Sequence, residues 1–79
     1  MQKQIYETSD FGVCVVLYTL GFKLTSIDRS NPNRLVFEFE IEPDLTKVVE
    51  SYFRGELRLD PRLILLNSRL IKSLIKEKY

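Results

Sequence analysis

Apolar and polar positions along this chain repeat with two different periods, and the places where the period changes mark the expected elements. Gln4-Ile5-Tyr6-Glu7 alternates and predicts a short first strand. Thr8-Ser9-Asp10 then offers three side chains able to take up the free amides of a helix start. The stretch from Phe11 to Phe22 holds no charged residue, and Gly21 stands where a left-handed residue would end a helix, with Phe22 placed to touch Leu17. A helix from about Asp10 to Leu20 is expected, although Val13, Val15 and Val16 favour a strand.

Alternation returns from Phe22 to Asp28, predicting a second strand. Asp28-Arg29-Ser30-Asn31-Pro32-Asn33 is rich in turn-formers. Arg34 to Ile41 follows as the third strand, with Leu35, Phe37, Phe39 and Ile41 on one face and Val36, Glu38 and Glu40 on the other. Glu42-Pro43-Asp44 suits a helix start, and Leu45, Val48, Val49, Tyr52 and Phe53 form the stripe of a helix packed on one side, ended by Gly55. Glu56-Leu57-Arg58-Leu59 reads as a fourth strand, and Asp60-Pro61 opens a last helix towards the C-terminus. The expected order is β-α-β-β-α-β plus a C-terminal helix: one α+β domain over residues 1–79, the two-layer split βαβ arrangement of ferredoxin-like folds.

An apolar helix on such a sheet buries its underside, and its outer side must be covered too, by the last helix or by a second subunit. Twelve uncharged residues are too short a run to span a bilayer, which takes about 20. Glu7 and Asp10 precede the run and no small-residue cleavage site follows, so it does not read as a secretory signal.

Composition narrows the chemistry. Twelve basic and 11 acidic residues leave a net charge of +1, which gives nucleic acid no overall support. There is no histidine and only one cysteine, Cys14. Histidine-assisted hydrolysis and Cys/His zinc sites are thereby excluded. No disulfide can close within the chain, and a reducing cytoplasmic setting is expected. Cys14 lies among valines and reads as a buried, inert thiol. The three glycines are scattered, so there is no phosphate loop. Asp10, Asp60, Glu38 and Glu40 are explained as caps or solvent-facing strand positions. No cofactor or metal is expected.

Several stretches, "YETSD", the apolar helix ending in "LGFKL", "LVFEFE", "YFRGELRLDPR" and "LNSRLIKSLI", together resemble an uncharacterised family of small domains from bacteria, archaea and their mobile elements, domain of unknown function 5659. The resemblance covers nearly the whole chain in order. It implies a common small fold and carries over no catalytic or binding residue.

The last helix supplies the functional candidates. On a helical projection Leu63, Leu66, Leu70, Leu74, Ile64, Ile71 and Ile75 fill a wide arc, with Arg62, Arg69, Lys72 and Lys76 opposite. Those four cations could meet phosphates, or simply face water. Base stacking on the sheet is disfavoured, because Phe37 and Phe39 belong to the core face and Glu38 and Glu40 to the other. The expectation is a non-enzymatic protein-interaction module, partnered by itself as a homodimer or by another protein, with no membrane role. The alternative is a nucleic-acid-associated protein working through Arg62, Arg69, Lys72 and Lys76.

Overall fold

The computed structural model describes residues 4–77. It is an α+β chain of three strands and three helices: β1 (Ile5–Thr8), α1 (Phe11–Thr19), β2 (Leu24–Asp28), β3 (Val36–Glu40), α2 (Leu45–Phe53) and α3 (Pro61–Glu77). The strands form one antiparallel sheet in the order β1-β3-β2. β3 is therefore central.

Register decides what each face carries. Tyr6 and Thr8 lie opposite Phe39 and Phe37, and Leu24 and Ile27 lie opposite the same two residues from the other side. Phe37 and Phe39 are buried beneath α1. Glu7, Glu38 and Glu40 point to the other face of the sheet, and Glu7 sits directly across from Glu38. An antiparallel sheet can keep one face in water in this way. Between Leu24 and Ser26 the pairing with β3 slips, and Thr25 donates its hydroxyl to the Glu38 carbonyl at 3.0 Å.

α1 begins and ends where the caps predicted. The Val13 N–H donates to the Asp10 carboxylate at 3.1 Å. At the other end Gly21 has φ +94°, and Phe22 N–H reaches back to the Leu17 carbonyl at 3.0 Å, the paired bonding of a glycine-terminated helix. The caps outweigh the strand preference of the valines because they satisfy backbone groups that would otherwise be left open. Val13, Cys14, Val15, Val16 and Leu17 are all buried, so α1 is covered on every side in the middle of its length. The cover comes from the sheet below, α2 on one flank and α3 on the other. The last helix thus supplies the outer cover that the sequence demanded, within one chain.

α2 starts at Leu45, after the turn at Pro43-Asp44, and stops at Gly55, with φ +72° and the Glu56 N–H bonded to the Ser51 carbonyl at 2.9 Å. Leu45 is buried, while Val48, Val49 and Tyr52 are half-buried. Phe53 departs from its expected place on the buried stripe: it is 65% exposed.

The fourth strand does not form. Residues 56–60 are irregular, so the last strand of the expected βαββαβ order is missing among the described residues. The physical reason lies in what this segment joins. α2 and α3 both pack on α1, and the connector runs along the helix layer between them. Leu57 and Leu59, whose alternation suggested a strand, line a groove with Val16, Tyr52 and Ile64 instead of pairing with β1.

Candidate functional site

The outer surface of α3 carries the residues singled out from sequence, and three devices hold that helix in place. Its start is capped by Asp60, whose carboxylate accepts the Arg62 N–H at 2.9 Å. Midway, the Asn67 side-chain amide donates to the Thr19 hydroxyl at 2.9 Å, and that hydroxyl donates to the Val15 carbonyl at 2.7 Å. Near its end, the Arg29 guanidinium donates to the carbonyls of Ile75 at 2.9 Å and Leu74 at 3.0 Å. These carbonyls belong to the last turn of α3, the end at which the helix dipole is negative. Asn67 meets the end of α1, and Lys72 meets its beginning at Phe11, so α1 and α3 run in opposite directions.

The apolar arc predicted for α3 is divided. Ile71 is buried, and Ile64 and Ile75 pack half-buried against the core. Leu63, Leu66, Leu70 and Leu74 do not join them: they are 47, 52, 44 and 41% exposed. At 100° per residue the four leucines fall within about 80° of arc, centred about 120° from the isoleucines. α3 thus has two apolar stripes, and the fold uses one.

The four predicted cations are not equivalent. The Arg62 guanidinium pairs with the Asp60 carboxylate at 3.0 Å, and this contact holds the Asp60 carboxyl below the usual carboxylate range. Lys72 Nζ lies 5.7 Å from the centre of the Phe11 ring. Lys72 lines an open depression together with Arg69, Ser73 and Lys76. Arg62, Arg69 and Lys76 form a stripe about 100° from the leucines, on the side away from the isoleucines.

The other groups weighed from sequence occupy structural positions. Burial pushes the Cys14 thiol up to about 12, which keeps it protonated and unreactive. Asp10 and Asp60 serve as helix caps. Among the described residues no polar or charged side chain is fully buried, and no group of three or more potential metal ligands occurs. Among the described residues no helix is long and apolar enough to cross a membrane.

A family model matches residues 3–75, nearly the whole chain. The chain belongs to the family described as a domain of unknown function, DUF5659. No curated protein and no solved structure matches it. The features that hold α3 in this DUF5659 domain were only partly visible in sequence. The Asp60 cap was expected from the Asp-Pro pair. The Arg29 and Asn67 contacts span 46 and 48 residues and leave no local signal. The groove of about 470 Å³ lined by Val16, Tyr52, Leu57, Leu59, Pro61, Ile64 and Leu65 was likewise not foreseen.

Proposed function

We propose that this domain is a non-enzymatic protein-interaction module that self-associates through the outward leucine stripe of α3. The observation that carries the reading is the exposure of Leu63, Leu66, Leu70 and Leu74 on one stripe while isoleucines alone serve the core. Contiguous apolar surface of this kind on a small soluble domain marks an interaction site.

The magnitude favours a weak, reversible pair. The four exposures amount to nearly two whole leucine side chains. Full burial of one such side chain is worth ~1.5–3 kcal/mol, so two copies covering each other gain about 6–12 kcal/mol. Association costs about 4–15 kcal/mol before any contact is counted. A homodimer in the micromolar range or weaker is the expected balance.

Sedimentation equilibrium tests this directly. The protein should pass from monomer to dimer over tens to hundreds of micromolar, and Leu66→Glu with Leu70→Glu should hold it monomeric with an unchanged circular dichroism spectrum. A wild-type protein that stays monomeric across that range, or a double variant that dimerises equally well, rules the reading out.

Nucleic-acid contact through Arg62, Arg69, Lys72 and Lys76 is the second reading, supported by the depression between Arg69, Lys72 and Lys76. It is the weaker one, because Arg62 already pairs with Asp60 and Lys72 with Phe11. Charge reversal of all four should abolish any salt-sensitive shift of labelled DNA or RNA. No shift of either at low salt removes this second reading.

A further inference from the structure

The spacing of the leucine stripe says more than that α3 pairs with another helix. Leu63, Leu66, Leu70 and Leu74 are arranged almost symmetrically about position 68. If a second copy runs antiparallel, Leu63 meets Leu74 of that copy and Leu66 meets its Leu70, with no leucine left unmatched. A parallel pair also matches leucines, but the two modes treat the neighbouring cations differently. In an antiparallel pair the two-fold axis stands perpendicular to both helices, so the basic flank of each copy lies on the same side of the seam. In a parallel pair the two basic flanks fall on opposite sides.

We infer that two copies pair antiparallel along α3 and that their basic flanks converge into one site for a multivalent oxyanion of the phosphate or sulfate type, centred on Arg69 of both copies. This rests on the self-association proposed above and adds its geometry and its ligand class. Arg69 is next to the centre of symmetry, so it comes closest to its own counterpart. Lys76 comes instead towards Arg62 of the second copy, which already holds Asp60 at 3.0 Å, and that carboxylate offers Lys76 a partner. Repulsion therefore concentrates at the arginine pair. Arg69 lines an open depression with Lys72, Ser73 and Lys76, all of which can donate hydrogen bonds to an oxyanion. Guanidinium groups bind such anions through two parallel N–H donors, and one anion between two arginines neutralises both.

Linkage makes the prediction specific. An anion that binds only the dimer must tighten the dimer. Removing one unit-charge repulsion at about 4 Å in water corresponds to about a fivefold change in dissociation constant. Sodium sulfate should tighten the wild-type dimer, relative to sodium chloride at equal ionic strength, by about that factor more than it tightens the Arg69→Gln dimer. Sulfate also strengthens apolar association in general, so the contrast between wild type and Arg69→Gln is the informative one. A thiol-reactive bismaleimide spanning about 10 Å should link two copies of Arg69→Cys, whose side chains are too far apart for a direct disulfide, but not two copies of Lys76→Cys, because antiparallel pairing sets the two copies of residue 76 about 20 Å apart along the helix axis. The native Cys14 is buried and does not interfere.

The outcomes separate cleanly. A dimer that cross-links as readily through Lys76→Cys as through Arg69→Cys, or whose sulfate response is undiminished in Arg69→Gln, overturns the antiparallel anion site and leaves self-association standing. A wild-type protein that remains monomeric in both salts at hundreds of micromolar overturns both.

Discussion

Arg29 is the residue whose removal most directly tests how α3 is held. It follows β2, and its guanidinium bonds two carbonyls in the last turn of α3, 45 and 46 residues away. A positive charge at a helix C-terminus also meets the negative end of the helix dipole. A hydrogen bond from a charged donor is worth ~1.5–3 kcal/mol when well sheltered. One of these two is part-buried and the other exposed, so solvent reduces the sum. Arg29→Ala should cost about 1–2 kcal/mol. For a domain of 79 residues, each kcal/mol moves Tm by roughly 4–8 °C.

The assay is thermal unfolding by circular dichroism, with amide hydrogen exchange to locate the change. Tm should fall by about 5–15 °C, and exchange should accelerate first in residues 72–77 and not in β3. Arg29→Lys should recover only part of the loss, because an ammonium cannot reach two successive carbonyls with a planar fork. An alanine variant with an unchanged Tm and unchanged exchange in the last turn of α3 would refute the account of Arg29 as its clamp. Full recovery by lysine would show that charge alone matters and that the two-carbonyl geometry does not.

Two further predictions concern the packing around α1. A Cβ on Gly12 would run into the Tyr52 hydroxyl and lie 3.1 Å from Tyr52 Cζ, so Gly12→Ala should destabilise the fold by about 1–3 kcal/mol despite the better helix propensity of alanine. Adding Tyr52→Phe removes the worst contact and should restore much of the loss in urea unfolding; equal stability of Gly12→Ala and wild type would contradict the packing. The Cys14 thiol has a pKa of about 12 in the folded chain against 9.0 when unperturbed, raised by burial. Its contribution is complete below pH 9 and declines as pH rises towards 12, when the unfolded thiol ionises and the folded one does not, by up to about 4 kcal/mol. Cys14→Ala should therefore lose less stability than wild type between pH 9 and 11, tyrosines and lysines titrating alike in both, and parallel pH profiles would refute this.

Local signals were legible in the chain, and long-range ones were not. Asp10 and Gly21 bracket α1 as expected, because capping is decided by residues within one helical turn. The alternation of β3 correctly assigned Phe37 and Phe39 to the core face and the glutamates to the other. Glu56–Leu59 misled, since alternate leucines serve equally well to line one side of an irregular connector, and periodicity alone cannot tell a strand from such a segment. Arg62, Arg69, Lys72 and Lys76 were placed on one side of α3, but the contact that sets Lys72 apart depends on the tertiary fold, whereas the Arg62–Asp60 pair is local, two residues apart, and was passed over because Asp60 was read only as a cap.

The division of α3 into isoleucine and leucine stripes follows from the role of α1. A helix as short and apolar as α1 must be enclosed, and a neighbour that encloses it needs a single narrow stripe for the contact. Ile64, Ile71 and Ile75 fall within about 40° of arc and supply it. The β-branched side chains there have few rotamers to lose on burial. The leucines lie beyond the reach of that contact, so the monomer's core does not depend on them, and they stay half-exposed on the surface proposed for self-association. Stability and association should therefore separate by residue type on one helix. Substitutions in the isoleucine stripe should unfold the domain. Polar substitutions at Leu66 and Leu70 should leave its unfolding midpoint at low concentration nearly unchanged while removing the concentration dependence of Tm that accompanies dimer formation. A leucine variant that lost as much stability as an isoleucine variant would mean that both stripes belong to one core, and self-association would lose its structural basis.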